Sequence, residues 1–132
     1  LSTDYANPSS LHKKGIEVEK NIKAIRQSIA RTIGAKDKEI YFTSGGTESN
    51  NTIIRGVANL YKKRKNHIIS TEIEHPSVLA TLKDLENEGF EVTYLKVNKE
   101  GIVDIEELKS SIKETTSLVT IMHVNNEIGS IH

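Results

Sequence analysis

The apolar residues Val18, Ile22, Ile25, Ile29 and Ile33 follow one another at intervals of 4, 3, 4 and 4, with polar residues between them. That spacing puts them on one face of a helix, and Gly34 stops it. Ile40-Tyr41-Phe42 is a short apolar run that predicts a strand, and beyond Ser44-Gly45-Gly46 the residues Ile53, Val57 and Leu60 return to helical spacing. A second round follows. His67-Ile68-Ile69-Ser70-Thr71 predicts a strand, a loop runs to His75, and Pro76 suits the first position of a helix whose inner face is Val78, Leu79, Leu82 and Leu85. Gly89 ends that helix. Phe90, Val92 and Tyr94 alternate with polar residues as in a half-buried strand, and Asn98-Lys99-Glu100-Gly101 turns the chain. Asp104 and Glu107 form a D-x-x-E variant of the capping box ahead of Ile105, Leu108 and Ile112. The last predicted strand is Leu118-Val119-Thr120-Ile121-Met122.

Strands alternate with helices, without hairpin turns or a fixed repeat, so the pattern predicts an α/β fold with a mostly parallel sheet covered by helices. At 132 residues the chain is expected to form one domain. More than a quarter of the residues are Leu, Ile, Val or Phe, enough for a true core. Eighteen Lys and Arg balance eighteen Asp and Glu, which removes the basic field that direct nucleic-acid binding or an anionic membrane surface would need. The cluster Lys62-Lys63-Arg64-Lys65 falls where a helix ends, and cations complement the helix dipole there. Zero Cys excludes disulfides, thiolate metal sites and a cysteine nucleophile from these residues. No apolar run reaches the roughly 20 residues that span a bilayer, and Leu1-Ser2-Thr3-Asp4 lacks a signal-peptide layout. A soluble, cytoplasmic protein is the expectation. The first residue is not Met, and Gly129-Ser130-Ile131-His132 follows an apolar run without a closing helix, so both ends read as cut.

Ligands of parallel sheets bind outside the carboxyl ends of the strands, which directs attention to the loops that follow them. Gly45-Gly46 before a helix lets a ligand approach the backbone, and the free N–H groups of a first helical turn together with the Thr47 hydroxyl suit a phosphate. No Lys follows the second glycine and the G-x-G-x-x-G spacing is absent, so neither a Walker A loop nor a dinucleotide site is indicated. Taken alone, the loop reads as a flexible turn with a Ser or Thr helix cap sooner than as a phosphate site. His75 suits acid–base chemistry or stacking of its flat ring, and alone it is also an ordinary surface histidine. It has no second His at helical spacing and Glu74 does not complete a ligand set, so no metal site is expected. Asn125 and Asn126 either shape a turn or donate an amide hydrogen bond without adding charge. Convergence of all three loops on one sheet edge fits a planar phosphorylated cofactor such as pyridoxal phosphate.

The strings Asn7-Pro8-Ser9-Ser10-Leu11-His12, Ile40-Tyr41-Phe42-Thr43-Ser44-Gly45-Gly46-Thr47-Glu48-Ser49-Asn50, Glu74-His75 and Met122-His123-Val124-Asn125-Asn126-Glu127-Ile128-Gly129, in this order, closely resemble cysteine desulfurases of the class V aminotransferase group, from about Tyr5 onward. The resemblance implies part of the large domain of a fold-type I, pyridoxal-phosphate-dependent transferase over residues 1–132. Such enzymes remove sulfur from L-cysteine to give L-alanine and an enzyme persulfide, which feeds iron–sulfur cluster or thiolated-RNA synthesis. Gly46 and Thr47 match the positions that bind the cofactor phosphate. His75 matches the residue that stacks on the ring and assists proton transfer, and is the catalytic candidate. Asn126 matches the amide beside the phenolic oxygen. The resemblance further implies a homodimer, a sulfur-acceptor or scaffold protein as partner, and, beyond His132, an Asp for the pyridine nitrogen, a Schiff-base Lys and a loop with the nucleophilic Cys. Without these, the 132 residues are expected to be inactive alone. Alternatives are a selenocysteine lyase, another class V enzyme, or a non-catalytic phosphate-binding or scaffold module.

Overall fold

The structure is a computed structural model and describes residues 6–132, so the expectations that fall on Leu1-Ser2-Thr3-Asp4 and on the onset of the resemblance at Tyr5 lie outside the described residues. The described residues divide into two compact units, one ending at Phe42 and the other spanning Thr43–His132.

The first unit is built on helix α1, Lys13–Thr32. It begins a turn before the apolar stripe, because His12 caps it: the His12 Nδ1 accepts from the Gly15 N–H at 3.2 Å. Only glycine fits at position 15, where a Cβ would stand 2.3 Å from the Ser10 carbonyl oxygen. Gly34, at φ 68°, turns the chain out of the helix as expected. Ile40 is extended (φ −97°, ψ 122°), yet residues 40–42 are not a strand. An apolar run sets a preference for burial, but a strand exists only where a second backbone completes the ladder, and none of the described residues does so here. Instead Arg26 Nε donates to the Ile40 carbonyl at 3.1 Å, and its guanidinium sits 5.2 Å from the centre of the Phe42 ring.

The second unit contains α2 (Gly46–Tyr61), β1 (His67–Thr71), α3 (Pro76–Asn87), β2 (Glu91–Leu95), α4 (Ile105–Ser111) and β3 (Thr116–Val119). The three strands form a parallel sheet in the order β2-β1-β3, so the α/β expectation holds. Successive residues of β1 point to opposite faces. Ile68 joins Ile54 and Ala58 of α2, Val78, Leu82 and Leu85 of α3, and Phe90 in one core. Ile69 joins Leu95 and Val103 in another. Asp104 caps α4, accepting from the N–H groups of Glu106 and Glu107 at 2.8 and 3.4 Å. The return bond from Glu107 that would complete the box is absent among the described residues. No helix is long and apolar enough to cross a membrane among the described residues.

The last strand lies two to three residues earlier than the apolar run suggests. Thr120 N still donates to the Ile69 carbonyl at 2.9 Å, but Met122 N donates at 2.8 Å to the Glu74 carboxylate, and a side chain has replaced the ladder. The same oxygen, Glu74 Oε1, accepts the Thr71 hydroxyl at 2.9 Å. Glu74 is 6% exposed, and it fastens the segment after β1 to the segment after β3. At the other end of β1, fully buried His67 bridges both neighbouring strands, with Nδ1 2.7 Å from Thr116 Oγ1 and Nε2 2.9 Å from Thr93 Oγ1. Burial pushes its pKa down, the nearby Lys113 charge adds to this, and Glu91 opposes it.

Two outcomes follow from these buried groups. Because His67 protonates less readily folded than unfolded, its contribution to stability is fully present above the ordinary histidine value of 6.5 and is lost as pH falls from there through the lowered folded value. The urea midpoint should therefore drop between about pH 8 and about pH 5.5 in the native sequence, and this component of the slope should vanish in His67→Gln. Truncation in Glu74→Ala leaves the Met122 N–H and Thr71 hydroxyl without their acceptor and should cost about 2 kcal/mol in urea unfolding. Glu74→Gln, which keeps an oxygen, should lose less than half of that.

Candidate active site

The chain leaves β1 for β2 on one side and later places β3 on the other, so the loops after β1 and β3 lie side by side at the carboxyl edge of the sheet. His75 stands at the end of the first of these loops and is the N-cap of α3. Its Nδ1 accepts from the Ser77 N–H at 3.1 Å. Pro76, at the first helical position, has no N–H to satisfy, so the imidazole covers the first donor that needs a partner. The cap fixes the ring at the helix start while leaving the side chain exposed.

Two cavities, each about 340 Å³, share His75 as a wall. On one side it faces a space lined by Gly46, Thr47, Asn50 and Ser77. On the other it lines a space with Glu74, Asn125 and Asn126. All four sequence-derived candidates, Gly46, Thr47, His75 and Asn126, are thereby brought to the walls of adjoining cavities that meet at one imidazole. A more spacious cavity, about 610 Å³ beside Arg26, Tyr41 and Phe42 in the first unit, is lined by none of them.

The N-terminus of α2 is open. Gly45 occupies the cap position without a side-chain hydrogen bond, and the first intrahelical donor there is Ser49 N, 3.1 Å from the Gly45 carbonyl. The N–H groups of Gly46, Thr47 and Glu48 and the Thr47 hydroxyl have no acceptor among the described residues. A Cβ added at Gly45 or Gly46 would meet nothing within 4 Å, so the backbone there is open to a ligand. Glu48 folds back so that its Oε2 accepts from Ser44 N at 2.6 Å, which holds its carboxyl below the usual carboxylate range. Open N–H groups, a hydroxyl and the positive end of a helix dipole make a receptor for a phosphate.

The two asparagines divide the roles that the sequence left undivided. Asn125 is buried and shapes the turn: its Oδ1 accepts from Glu127 N and Ile128 N at 2.8 and 3.0 Å, and its Nδ2 donates to the Ile73 carbonyl at 3.1 Å. Asn126 is exposed, and its amide has no partner among the described residues. It remains available to a ligand oxygen.

Three contributors escape a reading of the sequence. Glu74 ties the two loops together, and Ser77 and Asn50 adjoin the imidazole: Asn50 Nδ2 donates to Ser77 Oγ at 2.9 Å, and that oxygen lies 2.8 Å from His75 Nδ1. One signal for Ser77 exists in the sequence. It stands four residues before Thr81 and next to Val78 on the face that carries Leu82 and Leu85, a polar residue where the helix turns inward.

Known proteins similar to this chain include cysteine desulfurases. The cysteine desulfurase of Homo sapiens is 53% identical over 126 residues, 95% of this chain and 28% of that protein. The mitochondrial cysteine desulfurase of Eremothecium gossypii is 51% identical over 128 residues, 96% of this chain and 26% of that protein. Cysteine desulfurase IscS of Dictyoglomus turgidum is 50% identical over 131 residues, 99% of this chain and 33% of that protein. The chain thus spans about a quarter to a third of the length of these relatives. Among solved structures, a NifS-like protein superposes with a TM-score of 0.93 at 45% identity, over 97% of this chain and 35% of that one. SspA in complex with cysteine superposes with a TM-score of 0.91 at 42% identity, over 98% of this chain and 38% of that one. The model of the class V aminotransferase family matches residues 1–132, and the chain belongs to that family.

Proposed function

We propose that this chain forms the phosphate- and ring-contacting part of a pyridoxal-phosphate site in a cysteine desulfurase. The observation that carries the reading is the shared wall: one exposed imidazole borders both the open N-terminus of α2 and the space beside the free Asn126 amide. The residues present fit the cofactor. The Gly46 and Thr47 N–H groups and the Thr47 hydroxyl hold its phosphate, where glycine leaves room and the helix dipole favours negative charge. His75, which lines both cavities, would border the ring and is the proposed catalytic residue of this chain. Asn126 would donate a hydrogen bond to a ring oxygen without adding charge. When bound, pyridoxal phosphate supplies an electron-accepting ring that stabilises negative charge on the substrate carbon next to the amine.

The overall activity proposed is removal of sulfur from L-cysteine to give L-alanine and an enzyme persulfide. The names of the relatives and the cysteine bound to the SspA neighbour support it. The sequence contains no Cys, so the thiolate that accepts the sulfur is not one of these 132 residues. Both units are read as parts of one large, cofactor-binding domain, in a homodimeric cytoplasmic enzyme that passes sulfur to an acceptor or scaffold protein for iron–sulfur cluster assembly.

The full-length protein, supplied with pyridoxal phosphate, L-cysteine and a thiol reductant, should release alanine and sulfide in equal amounts. Release of selenide from selenocysteine with no sulfide from cysteine would assign it to the lyases instead, and release of neither would overturn the reading. Thr47→Val removes one charge-assisted hydrogen bond and should weaken pyridoxal phosphate binding by roughly ten- to a hundredfold, read by cofactor fluorescence.

A further inference from the structure

His75 has two ring nitrogens, and the surrounding atoms treat them differently. Nδ1 lies 3.1 Å from the Ser77 N–H and 2.8 Å from Ser77 Oγ. Nε2 has no partner among the described residues. A backbone N–H only donates, so Nδ1 offers it a lone pair, and a neutral ring that does so carries its proton on Nε2.

The Ser77 hydroxyl reinforces this choice because of what lies behind it. Its single proton can go to only one acceptor, and the group on its far side, Asn50 Nδ2 at 2.9 Å, is a donor. The proton is therefore directed to His75 Nδ1, and a chain of donors runs one way, from the Asn50 amide through the Ser77 hydroxyl to the imidazole. Ser77 is 8% exposed, so water has little access to offer the hydroxyl another partner. Asn50 is held in place by its neighbour. Asn51 Oδ1 accepts the Thr81 hydroxyl at 2.8 Å and Asn51 Nδ2 donates to the Thr47 carbonyl at 2.9 Å, which pins α2 to α3 one turn from the relay.

We propose that Asn50 and Ser77 are positioning residues that hold neutral His75 as its Nε2–H tautomer, so that the ring presents the site with a hydrogen-bond donor and not with a free lone pair. The proposal rests on His75 belonging to the cofactor site. Its consequence is a specificity for charge. A ring fixed in this way donates at Nε2 to an anionic oxygen or sulfur of cofactor or substrate. A proton placed on Nδ1 breaks the bond from the Ser77 N–H, which uncaps α3, and reverses the one with Ser77 Oγ. His75 thus offers a hydrogen-bond donor at Nε2 and no lone pair there.

The tautomer is a property of the chain itself and is read without cofactor. In the full-length protein labelled with ¹⁵N-histidine, long-range ¹H–¹⁵N correlation at alkaline pH distinguishes a protonated from an unprotonated ring nitrogen, and the His75 signals are identified by their loss in His75→Gln. The native protein should show Nε2 protonated and Nδ1 bare. Ser77→Ala removes the hydroxyl donor and should raise the Nδ1–H fraction at least roughly fivefold. Asn50→Asp reverses the relay, because a carboxylate accepts the Ser77 proton and turns an oxygen lone pair toward Nδ1, and it should raise that fraction further. Ser77→Thr keeps the oxygen and should restore the native pattern. The buried His67 signals report retention of the fold in each variant, and Asn50→Ala, which leaves the hydroxyl in place, gives the second reading if Ser77→Ala does not fold. A native ring protonated on Nδ1, or a tautomer ratio unmoved by the folded Asn50 and Ser77 variants, overturns the proposal. Addition of pyridoxal phosphate separates the two inferences. An Nε2–H ring whose signals do not respond to the cofactor sinks the cofactor reading and leaves the relay standing.

Discussion

The second unit depends on the fact that β1 is buried along its whole length, so every polar atom it carries must be satisfied inside the protein. His67 is satisfied by threonines on both neighbouring strands, Ser70 by the Thr120 carbonyl at 3.0 Å, and Thr71 by the Glu74 carboxylate. Each of these bonds reaches across to β2, to β3 or to a loop at the sheet edge. Hydrophobic burial alone would permit the strands to slip, whereas these polar partners meet in one register. The positions of the loops after β1 and β3, and with them of His75 and Asn126, descend from that pairing.

The two helices at the site solve the same backbone deficit in opposite ways. α3 begins on a proline and closes its next donor with the His75 ring, so its N-terminus is occupied by the protein. α2 begins on two glycines with no side-chain cap, and its first N–H groups stay open. One helix start is thus a mount for an imidazole and the other is left uncapped, and the packing of α2 on α3 brings them to a shared cavity. Glu48 sharpens the contrast. It is the acidic residue of the first turn of α2, yet it bends back to Ser44 and leaves the Gly46 and Thr47 donors free.

Much of this was legible in the sequence, and the exceptions share a cause. The helices, their stops at Gly34 and Gly89 and the parallel alternation are local matters of period and turn chemistry, and they were readable. Residues 40–42 have strand composition but need a distant backbone to become a strand, and the end of β3 is set when a carboxylate 48 residues away captures Met122 N. The site divides in the same way. Gly46, Thr47, His75 and Asn126 declare themselves by residue type and by their place after strands. The roles of Glu74, Ser77 and Asn50 depend on partners that sequence order conceals, with Asn50 and Ser77 lying 27 positions apart. Which of two adjacent asparagines forms the turn was likewise decided only when the Asn125 amide met the Ile73 carbonyl.

The His75 cap makes one side chain answerable to two demands. Any residue that takes its place must begin α3 as well as meet whatever occupies the cavities, and few side chains do both: Asn or Asp would start the helix without an aromatic ring, while Phe would offer a ring without starting the helix. The helix start and the cavity wall are consequently not separable inheritances at this position. Drift in the backbone at the head of α3 moves the imidazole with it, and selection for either property constrains the other.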